Sequence, residues 1–308
     1  MIEIKQLTKQ YGSLTALDHL DLTIKEGDIF GYIGPNGAGK TTTMRVLATL
    51  LDPTSGQAFI DGLDVTKKGN EVRCRVGYMP DFMGVYDDLK VFEYLEFFAA
   101  AFKIDRKKRQ GIVEGVLELT DLTSKKHFTV DSLSRGMQQR LGLARVLIHD
   151  PKVLILDEPA SGLDPRARIE VRELLLELKR MGKTIMISSH ILSELEEICD
   201  QIGIIERGKL VFDGTMDEIR KHMGVHSRIK VEVIGDPQRA LDVLSPMPQI
   251  GSVTIEQRAL TVTFSDGQEN NGFLAKALVQ GGIDIVSIEP QKLKLDDAFL
   301  ELTKGIVN

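Results

Sequence analysis

Residues Gly34-Pro35-Asn36-Gly37-Ala38-Gly39-Lys40-Thr41 satisfy G-x-x-x-x-G-K-[ST], and no other stretch constrains the fold of this chain as strongly. The glycines let backbone N–H groups turn inward around an anion. Lys40 sets a positive charge against phosphate oxygens, Thr41 offers a hydroxyl to a hard cation, and Thr42 is the next residue of the phosphate-facing set. Such a loop belongs between a buried strand and a helix N-terminus, whose positive dipole end adds to the site. Both flanks are legible. Asp28–Ile33 is mostly apolar, and Thr41–Leu51 has helical spacing with Met44, Leu47, Ala48 and Leu51 on one face. The bland alternative is a glycine-rich turn with a chance lysine, which explains neither flank.

A second apolar run, Val153–Leu156, ends in Asp157-Glu158. Alone it reads equally well as a buried strand followed by a solvated acidic turn. Beside a phosphate loop, the first carboxylate is placed to hold magnesium and the second to polarise an attacking water.

The rest of the chain supplies a frame. Ile2–Leu7 alternates as an edge strand, and Leu20–Lys25 alternates likewise. From Asp88 to Asp150 the pattern is helical, with Val91, Tyr94, Leu95, Phe98 and Phe102 on one stripe, continued by Ile112, Val116 and Leu119. This predicts a helical subdomain over about residues 82–150. A helix over Arg166–Arg180, a buried strand over Thr184–Ser188 and a helix over His190–Cys199 follow. Arg207-Gly208 marks a hairpin between Ile202–Glu206 and Lys209–Phe212. Thr215 to Glu218 is a capping box. After about Gly224 the order becomes strand, helix, two strands, helix, strand, ending in a helix over Leu295–Leu302. That order matches the split βαβ arrangement. The expected boundaries are 1–224 and 225–308.

With 308 residues, two such domains fit the length. The 39 basic and 45 acidic residues leave a net charge of -6, so no nucleic-acid partner is expected. No stretch approaches the ~18 apolar residues of a membrane span, and the first residues lack a secretory apolar run. Cys74 and Cys199 lack metal-ligand spacing and are expected to be reduced core residues of a cytoplasmic protein. Action at a membrane would then need a partner.

Taken together, the motifs resemble those of the ABC (ATP-binding cassette) ATPases. Leu133-Ser134-Arg135-Gly136-Met137 resembles the LSGGQ signature and lies upstream of Asp157, where the family places it. Ser161-Gly162-Leu163-Asp164 resembles the D-loop, His190 the switch histidine, and Tyr11 the aromatic that stacks on adenine. The resemblance covers about residues 1–220. It implies an α/β P-loop fold of ABC type: a RecA-like core, an antiparallel β subdomain and a helical signature subdomain. The small α+β, ferredoxin-like C-terminal domain is added to that.

The family also implies ATP and Mg²⁺, with Lys40, Glu158 and His190 at the reacting phosphate and Thr41 and Asp157 on magnesium. Ser134 and Gly136 would complete the site of a second copy in a head-to-tail dimer, with Asp164 communicating across it. Each of these has a local reading too: Ser134 as an N-cap, His190 as a surface or capping histidine, Asp164 as the start of a turn.

Two departures stand out. Asp81, after Tyr78-Met79-Pro80, replaces the Q-loop glutamine, a substitution that leaves its metal role open. Arg135 and Met137 replace glycine and glutamine in the signature. The LSRGM form and the tail Leu295–Thr303 resemble ATP-binding subunits of ABC-2-type exporters. That resemblance implies a separate transmembrane permease, for which Phe82 to Tyr86 would form part of a socket. It also implies a location on the cytoplasmic face of the membrane. A soluble ABC ATPase acting on the ribosome or DNA is the alternative.

Overall fold

The computed structural model describes residues 1–81, 84, 88–222, 228–256, 259–264 and 272–291. The socket segment Phe82–Tyr86, apart from Gly84, and the tail Leu295–Thr303 lie outside the described residues. The chain divides into two compact units, Met1–Met216 and Asp217–Asn308.

The first unit runs β1 (Ile2–Tyr11), β2 (Leu14–Ile24), β3 (Ile29–Ile33), α1 (Lys40–Leu47), β4 (Ser55–Ile60), β5 (Leu63–Asp64), α2 (Gly69–Arg73) and β6 (Val76–Met79). Then come α3 (Val91–Ala101), α4 (Arg106–Leu119), α5 (Arg135–Leu147), β7 (Val153–Leu156), α6 (Pro165–Arg180), β8 (Thr184–Ser189), β9 (Gln201–Glu206) and β10 (Lys209–Gly214), and α7 (Met216–His222) begins at the boundary between the units. A six-stranded sheet has the order β10-β9-β3-β8-β7-β6 and is parallel except for β10. Strands β3 and β7 are buried along their whole length, which is why they read as unbroken apolar runs. The register pairs Ile33 with Ser189 and Leu156 with Ile187 and Met79. Whatever follows these strands therefore emerges along one edge of the sheet, where open α/β folds place their ligands.

A second, antiparallel sheet has the order β2-β1-β4-β5. Strand β1 is therefore internal, not an edge: Ile2 pairs with both Ile24 and Ile60. The two sheets share one core, in which Ile2, Ile4 and Leu7 join Phe30, Tyr32, Met44 and Ile155.

In the helical region, α4 buries Val116 as predicted, but with Val113 and Leu117 beside it, leaving Ile112 and Leu119 of the predicted stripe only half-buried. Phe102, predicted on the apolar stripe of α3, is exposed and stacks on His149 with ring centroids 3.9 Å apart. The predicted helix His190–Cys199 reduces to a 3₁₀ turn over Leu192–Glu194. There Ser189 Oγ accepts from Ile191 N–H at 3.0 Å, competing with the helical pattern. Ion pairs from α6, Arg168–Glu194 at 3.1 Å and Arg172–Glu197, hold the segment in its turns. The hairpin forms as expected, with Arg207 and Gly208 both left-handed (φ 47° and 80°), as a two-residue primed turn requires. Cys74 is exposed, against expectation, whereas burial pushes the Cys199 thiol up.

The second unit contains β11 (Arg228–Val233), α8 (Pro237–Leu244), β12 (Ile250–Glu256), β13 (Ala259–Phe264), α9 (Gly272–Gln280) and β14 (Ile285–Gln291). Its sheet order β12-β13-β11-β14, with every pair antiparallel, is the split βαβ topology read from the sequence. Alternate strand residues such as Ile229, Val231, Leu260 and Val262 meet Ala240, Leu244, Leu274 and Leu278 in one core.

Candidate functional site

The phosphate loop is shaped by what its neighbours forbid. A Cβ on Gly34 would collide with the Ile205 carbonyl. Gly39 caps α1 in a left-handed conformation (φ 111°), and a Cβ there would stand 2.7 Å from the Ala16 carbonyl. Gly37 is left-handed as well (φ 81°). Ala38 N–H donates to Pro35 O at 3.1 Å, and Gly208 N–H donates to Ala38 O at 2.8 Å, pinning the curve from inside and outside. The first N–H groups of α1 have no partner within the helix and face outward at this end. Lys40 is buried; its Nζ donates to Gly34 O at 2.6 Å and Pro35 O at 3.4 Å. The lysine charge is thus folded back over its own loop.

At the end of β7, Asp157 is held from three directions. Its N–H donates to Met79 O at 2.8 Å, Oδ1 accepts from Ser188 Oγ at 2.7 Å, and Oδ2 accepts from Thr41 Oγ1 at 2.8 Å. Ser188 Oγ in turn accepts from Glu158 N–H at 2.9 Å. Glu158 itself has φ 51°, a conformation that costs a non-glycine residue about 1–3 kcal/mol. That backbone aims its carboxylate between two bases: Lys40 Nζ lies 3.4 Å from Oε1, and His190 Nδ1 lies 2.9 Å from Oε2. Charge-assisted contacts of this kind are what such strain obtains in return.

Pro35 to Thr42, Asp157 and Glu158 line one cleft of about 310 Å³ together with Tyr11, Leu14 and Asp81, while His190 and Ser188 stand outside its lining and reach it through Glu158 and Asp157. Tyr11 is 47% exposed beneath Lys9 Nζ, 5.2 Å from the ring centroid, so a flat aromatic face stands at the cleft. Partial desolvation, then the charges of Asp157 and Glu158, raise the Asp81 carboxyl above its ordinary value; Arg135 and His190 oppose the rise.

Ser134, Gly136 and Asp164 do not line this cleft. Ser134 caps α5, accepting from Met137 N–H at 3.4 Å, and Asp164 caps α6, accepting from Ala167 N–H at 2.9 Å. Gly136 abuts Ala167: a Cβ on the glycine would stand 2.9 Å from the alanine methyl. Sequence reasoning missed Ser188 as a site residue. Its hydroxyl joins Asp157 to Glu158, and the only trace in the sequence is a serine ending a buried strand beside the switch-like histidine.

The chain is similar to known proteins in both sequence and fold. The ABC transporter family matches residues 17–161. Bacitracin transport ATP-binding protein BcrA of Bacillus licheniformis is 38% identical over 307 residues, 99% of this chain and 98% of that protein. Daunorubicin resistance ATP-binding protein of Streptomyces coeruleorubidus is 34% identical over 98% of this chain and 95% of its own length. Nod factor export ATP-binding protein I of Cupriavidus metallidurans is 36% identical over 98% and 97%. A solved ATP-binding subunit of an ABC transporter covers 73% of this chain and 94% of its own at TM-score 0.66 and 29% identity. A dimeric ATP-binding cassette in a post-hydrolysis state, bound to ADP and Pi, covers 70% and 99% at TM-score 0.64 and 25% identity. Strain, charge and topology at the cleft agree with that kinship, and the chain belongs to the ATP-binding, ATP-hydrolysing subunits of ABC transporters of the ABC-2 exporter type.

Proposed function

We propose that this chain hydrolyses MgATP at Glu158, in a homodimer that drives a separate membrane permease. The observation that carries the chemistry is the Lys40–Glu158–His190 cluster at the foot of the loop. Lys40 swings from the loop carbonyls onto the β- and γ-phosphates and offsets their charge. Glu158 accepts the proton of the attacking water, and His190 fixes the carboxylate and contacts the γ-phosphate. Tyr11 stacks on the adenine ring. Hydrolysis of this kind depends mainly on positioning and charge stabilisation.

The chain's own atoms fit magnesium. Thr41 Oγ1 and Asp157 Oδ2, already 2.8 Å apart, are a hydroxyl and a carboxylate, the hard oxygen donors this ion takes. Among the described residues no cluster of three or more His, Cys, Asp or Glu offers a full protein cage. One or two protein ligands plus phosphate oxygens is the arrangement magnesium adopts beside nucleotides. When bound, the ion neutralises phosphate charge. Asp81 lies in the same cleft and reaches it at most through water.

Ser134 and Gly136 sit at the N-terminus of α5, outside the cleft of their own chain. Helix N-termini favour anions, so these residues serve the nucleotide of a second copy, and ATP joins the two. Dimeric cassettes among the structural relatives support this reading.

The permease reading rests on a groove of about 220 Å³ lined by Leu50, Tyr78, Phe98, Phe102, Arg145 and His149. Leu50 and Phe102 are 61% and 40% exposed, and His149 Nδ1 is buried with no hydrogen-bond partner among the described residues. A segment of a membrane subunit seated there covers the apolar rim. No described helix is long and apolar enough to cross a membrane, and the chain acts from the cytoplasmic face. The exporter names among the relatives support outward transport, with cargo chosen by the membrane subunit.

Glu158→Gln tests the core of this reading. The variant is expected to bind ATP, to lose about 10²–10⁴-fold in turnover, and to accumulate an ATP-stabilised dimer. Wild-type turnover would remove Glu158 as the base.

A further inference from the structure

The signature-like segment touches the loop after Glu158 within a single chain, and Arg135 makes the contact. Arg135 is the first residue of α5, directly after the Ser134 cap. Its guanidinium lies against Gly162: a Cβ built on that glycine collides with Cζ and both Nη atoms. Gly162 holds φ 66°, so both backbone conformation and space demand glycine there.

Gly162 sits in a loop fixed at both ends. At the near end, Ser161 N–H donates to Glu158 O at 3.0 Å. At the far end, Asp164 caps α6 through Ala167 N–H. Beside it, Gly136 packs on Ala167 so closely that the N-termini of α5 and α6 are locked together. A cation in the first turn of a helix is opposed by the helix dipole. The dipole therefore does not account for Arg135, whereas a flat head covering Gly162 does.

We propose that Arg135 is a positioning residue for Glu158, clamping residues 158–164 of its own chain against the start of α5. The inference rests on the reading of Glu158 as general base. Because Glu158 is left-handed, its carboxylate direction follows the loop backbone. If the outer end of the loop is released, the carboxylate drifts from Lys40 and His190. A misplacement of about 1 Å costs up to ~10²-fold in rate.

The test is steady-state ATPase activity of the full-length protein carrying Arg135→Ala or Arg135→Lys. Both are expected to lower kcat about tenfold or more with KM for ATP unchanged, because an ammonium on a flexible stem does not lie flat on a glycine. In the Glu158→Gln background, Arg135→Ala should leave the ATP-stabilised dimer and the residual turnover as they were. Unchanged kcat in Arg135→Ala, full rescue by lysine, or loss of the ATP-stabilised dimer would each overturn the inference, the last by placing Arg135 on the partner's nucleotide. Wild-type turnover of Glu158→Gln alone would instead sink the base assignment and is read separately.

Discussion

Thr41 and Asp157 stand 116 positions apart in sequence, yet the Thr41 hydroxyl donates to Asp157 Oδ2 at 2.8 Å. The bond ties the first turn of α1 to the end of β7 and pre-assembles the proposed magnesium donors. Thr41→Val keeps the branched shape and deletes the hydroxyl. Losing this bond to a charged group costs about 1.5–3 kcal/mol of stability, and because one of the two proposed magnesium donors goes with it, MgATP affinity should also fall roughly tenfold or more. Titrating ATP with and without magnesium checks this. An equal loss in both titrations would mean that the loop, not the ion site, was damaged.

Asp81 gives a pH prediction. Burial and the neighbouring carboxylates raise its folded pKa above the unfolded one. Its ionised form is thus disfavoured by folding, and the penalty grows as pH rises through the raised value. Asp81→Asn removes that penalty. Without nucleotide, the variant should melt higher than wild type near neutral pH, and the two curves should converge below about pH 4, the ordinary carboxylate range. A gain that persists unchanged at pH 3 would mean the effect is not electrostatic. Asp81 is exposed, so the gain will be modest.

Arg140 is a strut between helices. Its Nη1 donates to Thr120 O at 3.1 Å, Asp121 O at 3.2 Å and Asp121 Oδ2 at 2.9 Å, while Nη2 lies 3.6 Å from Glu170 Oε2 on α6. Arg140→Ala strands the buried end of α4 and should cost about 1–3 kcal/mol. For a unit of this size that lowers Tm by several degrees, at about 2–4 °C per kcal/mol. ATP affinity should hold, because the partners of Arg140, namely Thr120, Asp121 and Glu170, lie outside the cleft lining. A fall in affinity equal to the fall in stability would assign the residue a direct role in the site.

The cleft was legible where its chemistry is local. The Gly34–Thr41 loop, the apolar run into Asp157-Glu158 and the Arg207-Gly208 turn are each written in adjacent residues, because glycine conformation and strand burial are short-range properties. What escaped depends on partners distant in sequence. Ser188 acquires its role only through the register that sets Leu156 beside Ile187. Strand β1 looks like an edge until both neighbours are known. The segment after His190 has helical periodicity, but Arg168 and Arg172 of α6 hold it in turns. On α4 Val116 lies on the buried face as read, but Val113 and Leu117 complete that face while Ile112 and Leu119 fall at its edges, because neighbouring apolar residues give periodicity little to choose between.

The groove beside β6 yields the last prediction. Phe102 is 40% exposed at its rim and stacks on His149, whose Nε2 meets Val76 O at 3.0 Å. Burial pulls the His149 imidazole below its ordinary value, which keeps it neutral. A neutral ring stacked on phenylalanine presents an apolar floor to an incoming segment, with Leu50 opposite. Phe102→Glu puts a charge at that rim. The isolated protein should keep its ATPase activity and most of its stability, because an exposed side chain is replaced outside the cleft. Co-purification with the membrane subunit should drop at least tenfold, since desolvating a carboxylate in an interface costs several kcal/mol even with Arg145 in the same groove. Undiminished recovery of the membrane subunit by the variant would move the docking face away from this groove.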